Sequence, residues 1–135
     1  MIFVDTGAFV ARYVSSDGHH TRARRVWAEI ERQRTSCFTS NFVLDETFTL
    51  LGRQSSYTFA AERARALLDS KALTILRPGA EDELAAVEFF AKFADQELSY
   101  TDCISFTLMR RYRLSRVLTF DRHFRDAGFE VLPSR

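Results

Sequence analysis

A chain of 135 residues, 46% hydrophobic and 27% charged, has the size of one globular domain with one core, so a single domain over residues 1–135 is expected. The formal net charge of +1 excludes a global pull toward nucleic acid, and two cysteines, Cys37 and Cys103, are too few for a disulfide framework. Both cysteines sit in apolar surroundings that suit reduced thiols. With no leader pattern before Ile2 and no apolar run of bilayer length, a cytoplasmic protein without a membrane span is expected.

The first element, Ile2 to Asp5, is an apolar run ending in an acid, which predicts a strand covered on both faces. Gly7 to Val14 and Thr21 to Gln33 carry apolar residues at i, i+3 and i+4 and predict two helices. A second strand is expected at Ser36 to Thr39, then helices over Asn41 to Gly52 and Tyr57 to Ser70. Leu73 to Leu76 reads as the third strand, followed past Pro78-Gly79 by helices over Ala80 to Phe93 and Tyr100 to Arg111. Val117 to Phe120 and Glu130 to Leu132 complete five strands, with Gly128 as the break between them. Such alternation is the pattern of βαβ units and a parallel sheet, in which ligands bind beyond the carboxyl ends of the strands where strand order reverses.

Arginines cluster at Arg12, Arg22, Arg24, Arg25, Arg32 and Arg34, and again at Arg110, Arg111, Arg113, Arg116, Arg122 and Arg125. Their planar forks suit phosphate, which gives an RNA partner some support, although Glu29 and Glu31 interrupt the first cluster and solvated helix faces explain either equally well. Arg12 and Arg122 are candidates for positioning phosphates.

Carboxylates carry the chemistry. Asp5 and Asp121 each follow a strong apolar strand, the ligand-bearing position, although an Asp there also serves as a simple cap. Glu46 has Phe42, Val43, Thr49 and Leu50 one turn away, and a glutamate on an apolar stripe is costly unless it pairs with a cation. Asp45 beside it faces a more mixed set and reads as exposed. Asp102 completes a capping box with Ser99, a role compatible with aiming an oxygen at a metal. Four acids converging on one patch would repel each other, and a hard divalent ion with oxygen preference, Mg2+ or Mn2+, would relieve that conflict.

Val4-Asp5-Thr6, Val43-Leu44-Asp45-Glu46, Thr101-Asp102, Thr119-Phe120-Asp121-Arg122-His123-Phe124 and the short His20-Thr21-Arg22-Ala23 together resemble the PIN-domain family, and within it the VapC ribonuclease toxins. The resemblance spans the whole chain. It implies a three-layer α/β/α fold around a five-stranded parallel sheet in the order 3-2-1-4-5. It maps the family's acidic site onto Asp5, Glu46, Asp102 and Asp121, with Thr6 and Thr119 as supporting hydroxyls. It further implies Mg2+- or Mn2+-dependent endoribonuclease activity, a homodimer, and inhibition by a cognate VapB-like antitoxin. The expected reaction is hydrolysis, with water activated at the metal attacking an RNA phosphodiester in line. Phe120 departs from the pattern, since many relatives have a polar residue there.

Three other readings compete. A metal-free ribonuclease would use His20 with His123 as an acid/base pair. An aspartate-dependent phosphatase or phosphotransferase would share Asp5 but wants a second Asp two residues later, where Gly7 stands. A non-catalytic PIN-like interaction domain would not need all four acids. The chain carries no P-loop, dinucleotide glycine fingerprint or zinc-ligand spacing.

Overall fold

A computed structural model describes residues 1–134. Five strands, β1 (Ile2–Val4), β2 (Cys37–Ser40), β3 (Leu73–Leu76), β4 (Arg116–Leu118) and β5 (Glu130–Leu132), form one sheet. Its order is β3-β2-β1-β4-β5 and every pairing is parallel, as expected. The helices are α1 (Thr6–Tyr13), α2 (His20–Gln33), α3 (Asn41–Gln54), α4 (Tyr57–Asp69), α5 (Ala80–Lys92), α6 (Tyr100–Arg111) and α7 (His123–Asp126), with a 3-10 turn at Ala94–Gln96.

The chain steps from β1 outward to β3, then crosses back to β4 and β5 on the other side of β1. Because parallel crossovers are right-handed, that reversal puts α1 to α4 on one face and α5 to α7 on the other. The switch point therefore lies between β1 and β4, the two strands that lead into Asp5 and Asp121.

Local chemistry sets the boundaries. Ser40 and Ser56 accept the amides of Val43 and Phe59, each at 3.1 Å, and so start α3 and α4. β4 ends at Leu118, two residues before the expected limit, because the Thr119 hydroxyl accepts the Asp121 amide at 3.0 Å and turns the chain. The one-turn helix α7 is too short to leave a periodic signal in the sequence. It begins where the Asp121 carboxylate accepts the His123 amide at 2.9 Å.

The core fills both sides of β1, whose three residues are fully buried. Phe106 of α6 sits at the centre of the α5 to α7 layer, with Phe89, Phe93, Phe124 and Phe129 around it at centroid separations of 4.9 to 6.2 Å. α6 is also clamped to α5, since Arg111 pairs with the buried Asp82 at 2.6 Å and the Tyr100 hydroxyl donates to the Glu83 carbonyl. Asp82 in turn accepts the Gly79 amide that opens α5. Both cysteines are free and buried. No helix of the described residues is long and apolar enough to cross a membrane.

Phe106→Ala removes the ring that four others enclose and is expected to cost about 3–5 kcal/mol. Urea denaturation should show the midpoint falling with little change in slope, and an unchanged midpoint would contradict this account of the core.

Candidate active site

Asp5 leaves β1 as the residue before α1, buried, with its amide bonded to the Leu118 carbonyl at 3.0 Å across the β1/β4 seam. Its Oδ2 accepts the Thr119 hydroxyl at 2.8 Å. Since the same hydroxyl accepts the Asp121 amide, Thr119 joins the two strand-end acids through one oxygen. Asp121 directs Oδ1 at His123, taking its amide and meeting its Nδ1 at 2.7 Å. Asp102 stands in the first turn of α6, in a reciprocal capping box with Ser99. Glu46 projects from the middle of α3, half-buried, whereas Asp45 is exposed.

These four acids line one open cavity of about 570 Å3 beyond the carboxyl ends of β1 and β4. Asp17, Glu97, His19 and His123 also line it, and no Lys or Arg does. Burial raises Asp5 to about 7, with the charges of Asp102 and Asp121 adding to the effect and the Thr119 hydroxyl opposing it. Asp102 rises to about 6 for the same reasons, burial first, then Asp121, with Glu46 contributing less. The carboxylates therefore sense one another electrostatically, and no lysine or arginine in the cavity lining neutralises them.

An all-oxygen donor set of this kind fits a hard cation. Among the described residues no three His, Cys, Asp or Glu side chains already form a closed metal-holding group. Asp102 is engaged by the Ser99 amide and Asp121 by His123, so the acids surround a space instead of meeting at a point. That arrangement suits an ion such as magnesium, which retains part of its hydration shell and reaches some carboxylates through water.

Several expectations are corrected by the geometry. Thr6 lines the cavity, with its hydroxyl donating to the Val43 carbonyl at 3.5 Å, and its backbone N–H is what favours the charged form of Asp5. Arg12 lies at the opposite edge of the sheet, paired with Glu31 at 2.6 Å and stacked over Trp27, in a different cavity. Arg122 is exposed and outside the acid cavity. His20 gives Nδ1 to the Ala11 carbonyl at 2.7 Å and does not line the cavity, so the His20 and His123 pair is not assembled. A cysteine nucleophile is also disfavoured, since burial pushes Cys103 up to about 11. Asp17, His19, Gln54 and Glu97 line the cavity without having been singled out as cavity residues. Asp17-Gly18 marks a loop following the first strand and helix, and that position was the available signal.

A parallel sheet of this order with acids gathered at its switch point is the architecture of PIN-domain proteins, and the chain belongs to that family, the PIN domain profile matching residues 2–130. It is a VapC-type member. The 23S rRNA-specific endonuclease VapC20 of Mycobacterium tuberculosis is 37% identical over 134 residues, covering 98% of this chain and 99% of that protein. Its crystal structure, described as that of a sarcin-ricin loop cleaving toxin, superposes with a TM-score of 0.87 at 34% identity over 96% of each chain. A VapC ribonuclease of Archaeoglobus fulgidus is 30% identical, covering 90% of this chain and 77% of that one. The fold alone is shared with a chain of a toxin-antitoxin complex from Klebsiella pneumoniae, at TM-score 0.68, 12% identity and coverage of 100% and 98%.

Asp5 and Asp102 hold their protons in the fold at higher pH than the ordinary value of 3.8, so acid favours the folded, metal-free protein. Its melting temperature should be highest near pH 4, fall as the pH rises toward 7, and level off above. Added Mg2+ or Mn2+ should stabilise more at pH 8 than at pH 5, because binding requires the ionised acids. A metal-free melting curve that is flat between pH 4 and 7 would contradict the crowding of these carboxylates.

Proposed function

We propose that this protein is an Mg2+- or Mn2+-dependent endoribonuclease, the toxin of a type II toxin–antitoxin pair, with Asp5, Glu46, Asp102 and Asp121 as the metal-holding and catalytic acids. The observation that carries the reading is a cavity lined by all four, together with Asp17 and Glu97, and by no Lys or Arg. Acids so arranged need a cation before they can admit a phosphodiester, which is itself an anion. A divalent ion bound there supplies Lewis acidity toward a phosphoryl oxygen and lowers the pKa of water for in-line attack.

The chain's own residues divide the remaining work. Thr119 holds the Asp5 carboxylate in place by donating to Oδ2, and the Thr6 backbone N–H supports its charged form. Ser99 does the same for Asp102 by engaging its Oδ2, while His123 holds Asp121. Glu46 makes no side-chain hydrogen bond among the described residues, so of the four acids it would be the freest to turn toward a cation or to take up a proton. The likeness to a 23S rRNA-specific endonuclease makes ribosomal RNA the first substrate to test. Homodimerisation and inhibition by a VapB-like antitoxin belong to the same reading. An exposed apolar row on α5, Leu84, Val87 and Phe90, offers a surface that a protein partner would cover.

The test is cleavage of total cellular RNA with the ends sequenced, in the presence of Mg2+, Mn2+ or EDTA. Chelation should abolish cleavage, and Asp5→Asn, Glu46→Gln and Asp121→Asn should each lower it by roughly a hundredfold or more, the scale of losing a principal electrostatic contribution. Cleavage that survives EDTA, or equal activity of Asp5→Asn and the parent, would falsify the assignment.

A further inference from the structure

At the mouth of the acid cavity the imidazole of His19 lies flat on the ring of Phe120, with centroids 4.3 Å apart and planes 5° from parallel. Both residues line the cavity. His19 is exposed, so Phe120 covers one face of the imidazole while its surroundings leave the residue largely open to solvent. The guanidinium of Arg22, in the first turn of α2, stands 5.7 Å from the Phe120 ring. The stack is built into the fold: the Asp17 carboxylate takes the His19 amide at 2.8 Å, and Phe120 is fixed between Thr119 and Asp121.

Neither the acids nor the cation they would hold explains a flat aromatic pair at this point. Two planar rings are more than a cap requires, and an exposed imidazole contributes little to a core. Unpaired bases, by contrast, are bound by stacking on aromatic side chains, which serves any base because every base has a π face. A phosphodiester at the acids joins two sugars, each carrying its base on one glycosidic bond, which brings a base within reach of the cavity mouth. The Arg22 guanidinium is the positive group beside the stack and suits the next phosphate along the strand.

We propose that His19 and Phe120 form a stacking platform for one unpaired base of the RNA next to the scissile phosphodiester, with Arg22 on the adjoining phosphate. This rests on the nuclease reading above and names where its substrate is gripped. Splaying a base onto the platform would draw the backbone down to the acids, and would favour RNA whose bases at the cut are already unstacked.

The test is equilibrium binding in an Asp5→Asn background, with Mg2+ present, of a ten-nucleotide oligoadenylate and of an abasic RNA of the same length. The oligoadenylate is expected to bind roughly tenfold more tightly, in line with one stacked base. His19→Ala should remove most of that difference while leaving abasic binding unchanged, and His19→Trp should restore it. Phe120→Ala should behave as His19→Ala does, and Arg22→Ala should weaken both RNAs alike. Melting temperatures of the variants separate loss of the platform from loss of the fold, His19 being exposed. Equal affinity for both RNAs in the parent, or undiminished discrimination in His19→Ala, overturns the proposal. Failure of the unsubstituted protein to cut RNA is read separately: it removes the nuclease reading and leaves a base-stacking surface standing.

Discussion

Crowding of carboxylates at the seam between β1 and β4 is the constraint from which the site follows. Asp5 is buried there, beside the charges of Asp102 and Asp121, in a cavity whose lining holds no lysine or arginine. A protein that needed only a cap at the start of α1 would not place three further acids around it. The unfavourable electrostatics are sustained by the surrounding fold, and they become favourable once a divalent cation supplies the missing charge.

The acids come from both layers of the molecule, so the site depends on how the layers meet. Glu46 is carried by α3 on one face of the sheet and Asp102 by α6 on the other, while Asp5 and Asp121 come from the chain leaving the strands between them. Three of the four acids are held by contacts that also build the fold. Ser99 and Asp102 start α6 together, Thr119 ends β4 while orienting Asp5, and Asp121 starts α7. The Arg111–Asp82 pair and the phenylalanines around Phe106 lock α6 in the position that sets Asp102 at the cavity. Loosening the α5 to α7 layer would therefore move the Asp102 carboxylate in the cavity wall without altering the other three acids.

Charge is segregated across the molecule. The four acids gather at the carboxyl edge of the sheet, and Arg22 stands beside the Phe120 ring, outside the cavity lining. Arg12 is spent at the opposite edge on Glu31 and Trp27. On the proposed reading, the interior of the cavity takes a cation, and the aromatic and basic groups at its mouth take a polyanionic strand carrying flat bases.

Hydrophobic periodicity was enough to determine the five strands, six of the seven helices and their alternation, because each buries an apolar stripe or run long enough to register. The family resemblance supplied the strand order, while the edge at which Asp5 and Asp121 emerge followed from their place after two apolar strands. Glu46 was legible as an acid on a mostly apolar stripe, and Asp102 through its capping box. What the amino-acid order did not determine was decided by side chains meeting across long sequence separations. The Thr119 hydroxyl selected Asp5, 114 residues away, while accepting the Asp121 amide in the turn that ends β4. Thr6 turned to α3 in place of the carboxylate, Arg12 was claimed by Glu31, and His20 was tied to Ala11. His19 came to lie on Phe120, a pairing without any local signal, because stacking depends on where two loops converge and on nothing in either segment alone.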